Sequence, residues 1–89
     1  MTVKVKPFRI PKAIVLPGIV VRVLEVPSES PELEGADGAW EYVDGGPTVW
    51  INTSMALPRK RYLLLHELHH VIVDYLHSAM QDHPELVKP

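Results

Sequence analysis

Residues 66–70 read His-Glu-Leu-His-His, so His66 and His70 stand four apart with Glu67 directly after the first. On an α-helix, positions i and i+4 lie one turn apart on nearly the same face, about 40° of azimuth from each other. The two imidazoles can then converge on one point outside the helix and chelate Zn²⁺ without bending it. The carboxylate of Glu67, about 100° further round the helix, can reach a water at that point. Zinc lowers the pKa of such a water toward neutrality. The glutamate takes the proton as the water attacks a polarised carbonyl, then passes it to the leaving nitrogen.

Five histidines and seven glutamates scattered at random through 89 residues would give the H-E-x-x-H spacing roughly 2% of the time. The spacing therefore needs support from its context. Residues 58 to about 82 contain no helix breaker, and Pro84 ends the run. On a helical wheel Leu64, Leu65, Leu68, Val71, Ile72, Tyr75, Leu76 and Ala79 fall on one broad side, the expected core face. His66 and His70 fall opposite, with His77 between them, and His69 lies near the edge of that wet face. Thr53 or Ser54 is expected to cap the helix, and Pro58 suits its first turn.

Upstream of the helix, residues 18–26 are rich in β-branched side chains and about nine residues long, which favours a strand. Residues 39–44 place Trp40 and Tyr42 on one side and Glu41 on the other, as a half-buried strand does. The glycines at 45 and 46 turn the chain into a strand at 48–52, giving a hairpin. Residues 1–12 read as an extended arm broken by Pro7 and Pro11, and residues 27–38 as an acidic, solvated loop. The expected fold is a single α+β domain over 1–89. It has a small three-stranded, mainly antiparallel sheet packed on one long C-terminal helix.

Composition bounds what this domain can do. With no cysteine, disulfides and thiolate metal sites are excluded. A formal net charge of −2 gives no electrostatic footprint for nucleic acid. Arg59, Lys60 and Arg61 are read as solvated charge whose long stems cover apolar surface. The basic, apolar start is interrupted by Pro17 and Gly18 and lacks a small-residue cleavage site, so a soluble cytoplasmic protein is expected. So small a domain leaves helix surface uncovered, and homodimerisation through that surface is expected.

The stretch from Val49 to His77, "VWINTSMALPRKRYLLLHELHHVIVDYLH", resembles the zincin metallopeptidases, and most closely their ImmA/IrrE type. In that family a strand and a short basic loop run into the helix that carries the motif. The resemblance implies His66 and His70 as zinc ligands, Glu67 as general base, and a peptide bond as substrate. Targets in that family are often repressor proteins. It also implies a third ligand, a glutamate on a further helix downstream, yet only nineteen residues follow His70.

The candidates for that third ligand are Asp74, His77, His83 and Glu85, with an upstream acid such as Glu41 or a residue from a second copy of the chain as further alternatives. Asp74 is about 12 Å along a straight helix from His66, which suits it better to orienting an imidazole than to sharing the ion. His77 is about 10.5 Å from His70. In the metzincins a glycine three positions after the second histidine bends the chain, and Val73 stands there in this sequence. Glu85 ranks slightly above His83, both requiring the helix to end early. Residues 48–52 are the candidate edge for pairing with an extended substrate, with Trp50 and Ile51 as substrate-binding positions. The competing reading is a non-catalytic metal-binding or interaction module of a mobile element or regulatory system.

Overall fold

The computed structural model describes residues 9–82. Four strands, a 3-10 turn and one helix follow in chain order. They are β1 (Ala13–Leu16), β2 (Ile19–Val26), the turn Pro31–Leu33, β3 (Gly38–Val43), β4 (Gly46–Asn52) and α1 (Leu57–Asp82). The class is α+β, as expected, but the sheet has four strands in the order β1-β2-β4-β3. It is mixed: β1–β2 and β3–β4 are antiparallel, and β2–β4 is parallel. β1 is not expected from the sequence, because a four-residue strand flanked by Pro11 and Pro17 is too short to show an alternating pattern. Among the described residues no helix is long and apolar enough to cross a membrane.

The β3–β4 hairpin turns at Asp44 and Gly45, with φ of 52° and 79°. Two successive left-handed residues make the tight turn whose twist matches its strands, and Asp-Gly is a favoured pair for it. Its last register pair is Val43 with Gly46, so the turn lies one residue earlier than the two glycines alone suggest.

β4 becomes the centre of the sheet. Its residues from Pro47 to Asn52 are all buried, with β2 on one side and β3 on the other. The expected open edge at residues 48–52 is therefore corrected, because both sides of that strand are already hydrogen-bonded. The loop over 27–38 is also more ordered than expected. Its 3-10 turn packs against β3 and β4 and buries Leu33 at 1% exposure.

α1 crosses one face of this sheet. Val21, Val23, Val49 and Ile51 meet Leu63, Leu64 and Val71 in one apolar cluster. The helix runs antiparallel to β2, since Lys60 pairs with Glu25 at 2.6 Å near the strand's end. At the strand's other end the Tyr75 hydroxyl lies against Gly18 in the β1–β2 turn. Asn52 shapes the entry to the helix. Its Oδ1 accepts hydrogen bonds from Ser54 N at 3.0 Å and Ser54 Oγ at 2.7 Å. Ser54 is thereby held in a turn instead of capping, and the first helical bond runs from Lys60 N to Ala56 O.

The buried side of α1 is rotated from the expected core face. Leu63 and Glu67 are buried, whereas Leu65 is 65% exposed and Leu76 51% exposed. A sheet covers only one stripe of a helix, and the stripe chosen is the one that seats Leu64 and Val71 in the cluster with Val21, Val23, Val49 and Ile51. This rotation predicts unequal costs for adjacent leucines. Leu64→Ala should destabilise the fold by about 2–5 kcal/mol. Leu65→Ala should stay within about 0.5 kcal/mol. Urea unfolding followed by circular dichroism compares the two, and equal losses would contradict the observed rotation.

Candidate metal centre

Adjacent residues on α1 point about 100° apart, and the packing just described uses that angle. With Leu64 and Val71 against the sheet, Glu67 is turned toward β3 and is 7% exposed. His66 and His70 stay in solvent on the next stripe round the helix. Their Nε2 atoms lie 3.3 Å apart. Two nitrogens bound tetrahedrally to one zinc ion at about 2.0–2.1 Å would stand about 3.3 Å apart, so the observed spacing fits chelation. Among the described residues, His66, Glu67 and His70 form a group whose ligand atoms all lie within 4.8 Å of one another.

Neighbours hold these side chains. The Tyr62 ring, one turn before His66, stacks on its imidazole at a centroid distance of 5.9 Å and 21° between planes. The Arg59 guanidinium lies 5.1 Å over the other aromatic, Tyr62. On the sheet side, Gly38 opens β3 against Glu67. A Cβ at position 38 would stand 3.5 Å from both Glu67 Cγ and Leu63 Cδ2. An alanine therefore just fits, and a branched side chain would press on the carboxylate stem.

β3 follows the helix from Glu67 to Asp74. At its far end the Tyr42 hydroxyl donates to Asp74 Oδ2 at 2.8 Å. Asp74 thus meets a tyrosine across the sheet and lies outside the group of three. His77 faces its own helix, with Gln81 Nε2 3.1 Å from His77 Nε2. His69 packs its ring edge-on to His70 at 6.1 Å and is likewise outside the group. His83 and Glu85 lie outside the described residues. Trp50 and Ile51 are buried in the central strand, at 7% and 0% exposure, and offer no surface to a substrate.

The open edge lies instead at β3, which among the described residues pairs only with β4. The backbone bond from Asn52 N to Asp37 O fixes the alternation of the ladder. Ala39, Glu41 and Val43 turn their main-chain groups inward, and Gly38, Trp40 and Tyr42 turn theirs outward. The helix stripes follow the strand order. Tyr75 lies under the β1–β2 turn, and Glu67 and Asp74 lie under β3. His66 and His70 lie on the neighbouring stripe of the helix, with their ring nitrogens within 4.8 Å of the Glu67 carboxylate.

The sequence pattern of the IrrE N-terminal-like domain family, Peptidase_M78, matches residues 17–86. The chain belongs to that family. Searches of curated proteins and of solved structures gave no match. Membership in Peptidase_M78 and the group of three side chains together support metallopeptidase-type chemistry and a divalent metal at this ridge.

Two contacts at this site were invisible to sequence reasoning. Tyr62 carried a readable signal, its i−4 spacing from His66. Tyr42 and Gly38 carried none, because their roles depend on which strand lies over which stripe. The Tyr42 phenol is raised from its ordinary 10.0, first by the hydrogen bond to Asp74, then by burial and by the Asp74 charge. A value raised in the folded chain means the tie contributes fully below about pH 10. It is lost as pH climbs through the folded value. In an absorbance titration, Asp74→Asn should move one of the three tyrosines back toward ordinary behaviour, and Tyr42→Phe should remove that same component. An unchanged titration in Asp74→Asn would show that the tie is not made in solution.

Proposed function

We propose that this member of Peptidase_M78 is a zinc-dependent peptidase that acts on a regulatory protein. His66 and His70 hold the cation and Glu67 is the general base. The observation that carries the reading is the 3.3 Å separation of the two imidazole nitrogens with the Glu67 carboxylate within 4.8 Å of them. When bound, zinc supplies Lewis acidity to water and to a peptide carbonyl.

The chain's own residues do the rest. A Glu67 carboxylate oxygen accepts the proton of the attacking water and returns it to the amide nitrogen as that leaves. Packing against Gly38 and Leu63 fixes the glutamate stem, so the oxygen that moves the proton is positioned before substrate arrives. Tyr62, stacked on His66, limits the swing of the first imidazole. The outward main-chain groups of Gly38, Trp40 and Tyr42 offer a strand for an extended peptide to pair with. Such a peptide would lie along β3 with its backbone over the histidine ridge. Glu85, and after it His83, is the candidate third ligand.

Metal analysis and cleavage assays test this together. The purified chain should bind one equivalent of zinc, and His66→Ala should lose it. Glu67→Gln should retain the zinc and lose cleavage by about 10²–10⁴-fold. A wild-type chain that binds zinc and cleaves no peptide from a diverse library would overturn the peptidase reading in favour of a binding module. Zinc uptake unaffected by His66→Ala would overturn the metal centre itself.

A further inference from the structure

His66 and His70 are exposed, whereas Glu67 between them is buried. Core packing therefore fixes the acid and leaves the imidazoles to other constraints. An exposed helical side chain samples more than one χ1 rotamer, and chelation needs both rings in one arrangement. The support for His66 comes from its own helix. Helical side chains lean toward the N-terminus, so a ring at one position lies over the residue four earlier. For His66 that residue is Tyr62, and the two rings stack with centroids 5.9 Å apart and planes at 21°.

Tyr62 is supported in the same way from the turn before it. The Arg59 guanidinium lies 5.1 Å from the Tyr62 ring centroid. A cation, a phenol and an imidazole thus form one column along the helix surface. Tyr62 itself is 55% exposed and lies outside the apolar cluster under the helix. With His66 held in the column, the His70 ring meets it edge-on at 4.7 Å and 86°. In that arrangement the two Nε2 atoms converge to 3.3 Å.

We propose that Tyr62, clamped by Arg59, is a positioning residue that presets His66 for the cation. The inference rests on the metal centre proposed above and is independent of cleavage. A ring that is already held loses less freedom on binding, so the site binds more tightly than two free imidazoles would. Arg59 then acts on metal affinity through Tyr62, with a sign opposite to that of its charge. It stands seven residues, about 10.5 Å of helix, before His66. Its charge alone would repel a divalent cation, so charge alone would have Arg59→Ala tighten zinc binding. Loss of the clamp instead frees the Tyr62 ring and weakens zinc binding.

Competition against a chromophoric chelator measures zinc affinity of the full chain, in about 0.5 M salt to screen the guanidinium charge. Tyr62→Leu should weaken zinc binding about tenfold. Tyr62→Phe keeps the stacking ring and should stay within about twofold of wild type. Arg59→Ala should weaken binding about two- to fivefold in the wild-type chain and leave it unchanged in the Tyr62→Leu background. Circular dichroism should be the same for every variant. Nuclear Overhauser contacts between the Tyr62 and His66 ring protons should be present in the metal-free chain. Wild-type affinity in Tyr62→Leu overturns the proposal, as does a Tyr62→Phe chain as weak as Tyr62→Leu. Tighter zinc binding in Arg59→Ala, an equal Arg59→Ala effect in both backgrounds, or absent ring contacts overturn it as well. Zinc binding that His66→Ala leaves intact is a different failure, which removes the metal centre and this proposal together.

Discussion

One angle governs this molecule: the step of about 100° between neighbouring helical residues. Packing Leu64 and Val71 on the sheet fixes the rotation of α1. That single choice sends Glu67 inward, against β3, and leaves His66 and His70 in water. An acid and two bases adjacent in the chain thus occupy different environments. The acid sits in a fixed, packed position, and the imidazoles keep an open approach for a cation. The core and the chemistry share one helix without sharing a face.

The sheet order extends that logic. Because β4 inserts between β2 and β3, the strand that packs on Glu67 is one whose outer edge is unpaired among the described residues. β3 is anchored at both ends to the helix it follows, by the close approach of Gly38 to Glu67 and by the hydrogen bond from Tyr42 to Asp74. Its outward main-chain groups are therefore held at a set distance from the ridge, which an unanchored edge strand would not provide.

Much of this was legible in the residues alone. The helix over 58–82, the strand at 18–26 and the hairpin needed only periodicity and turn chemistry, and the structure gives Leu57–Asp82, Ile19–Val26 and Gly38–Asn52 for them. The i, i+4 histidines declared their own convergence. What stayed hidden depended on the third dimension. Leu65 and Leu76 look like core on a wheel, because apolarity alone does not say how wide a stripe the sheet can cover. The parallel pairing of β2 with β4 cannot be read from two strands distant in sequence. The placement of TVWIN at the centre, and with it the burial of Trp50 and Ile51, follows from that pairing. Asp74 faced the right way for a metal, but a tyrosine from β3 meets it instead.

The sheet's other margin has a different character. β1 is only four residues long, and Pro11 and Pro17 bracket it. Proline offers no backbone donor, and so short a strand presents few groups for a stray chain to join. A sheet with two equally receptive margins invites stacking into fibrils; blunting one removes half of that hazard. Among the described residues, an added strand would thus be accommodated better along β3, the margin beside Glu67, than along β1.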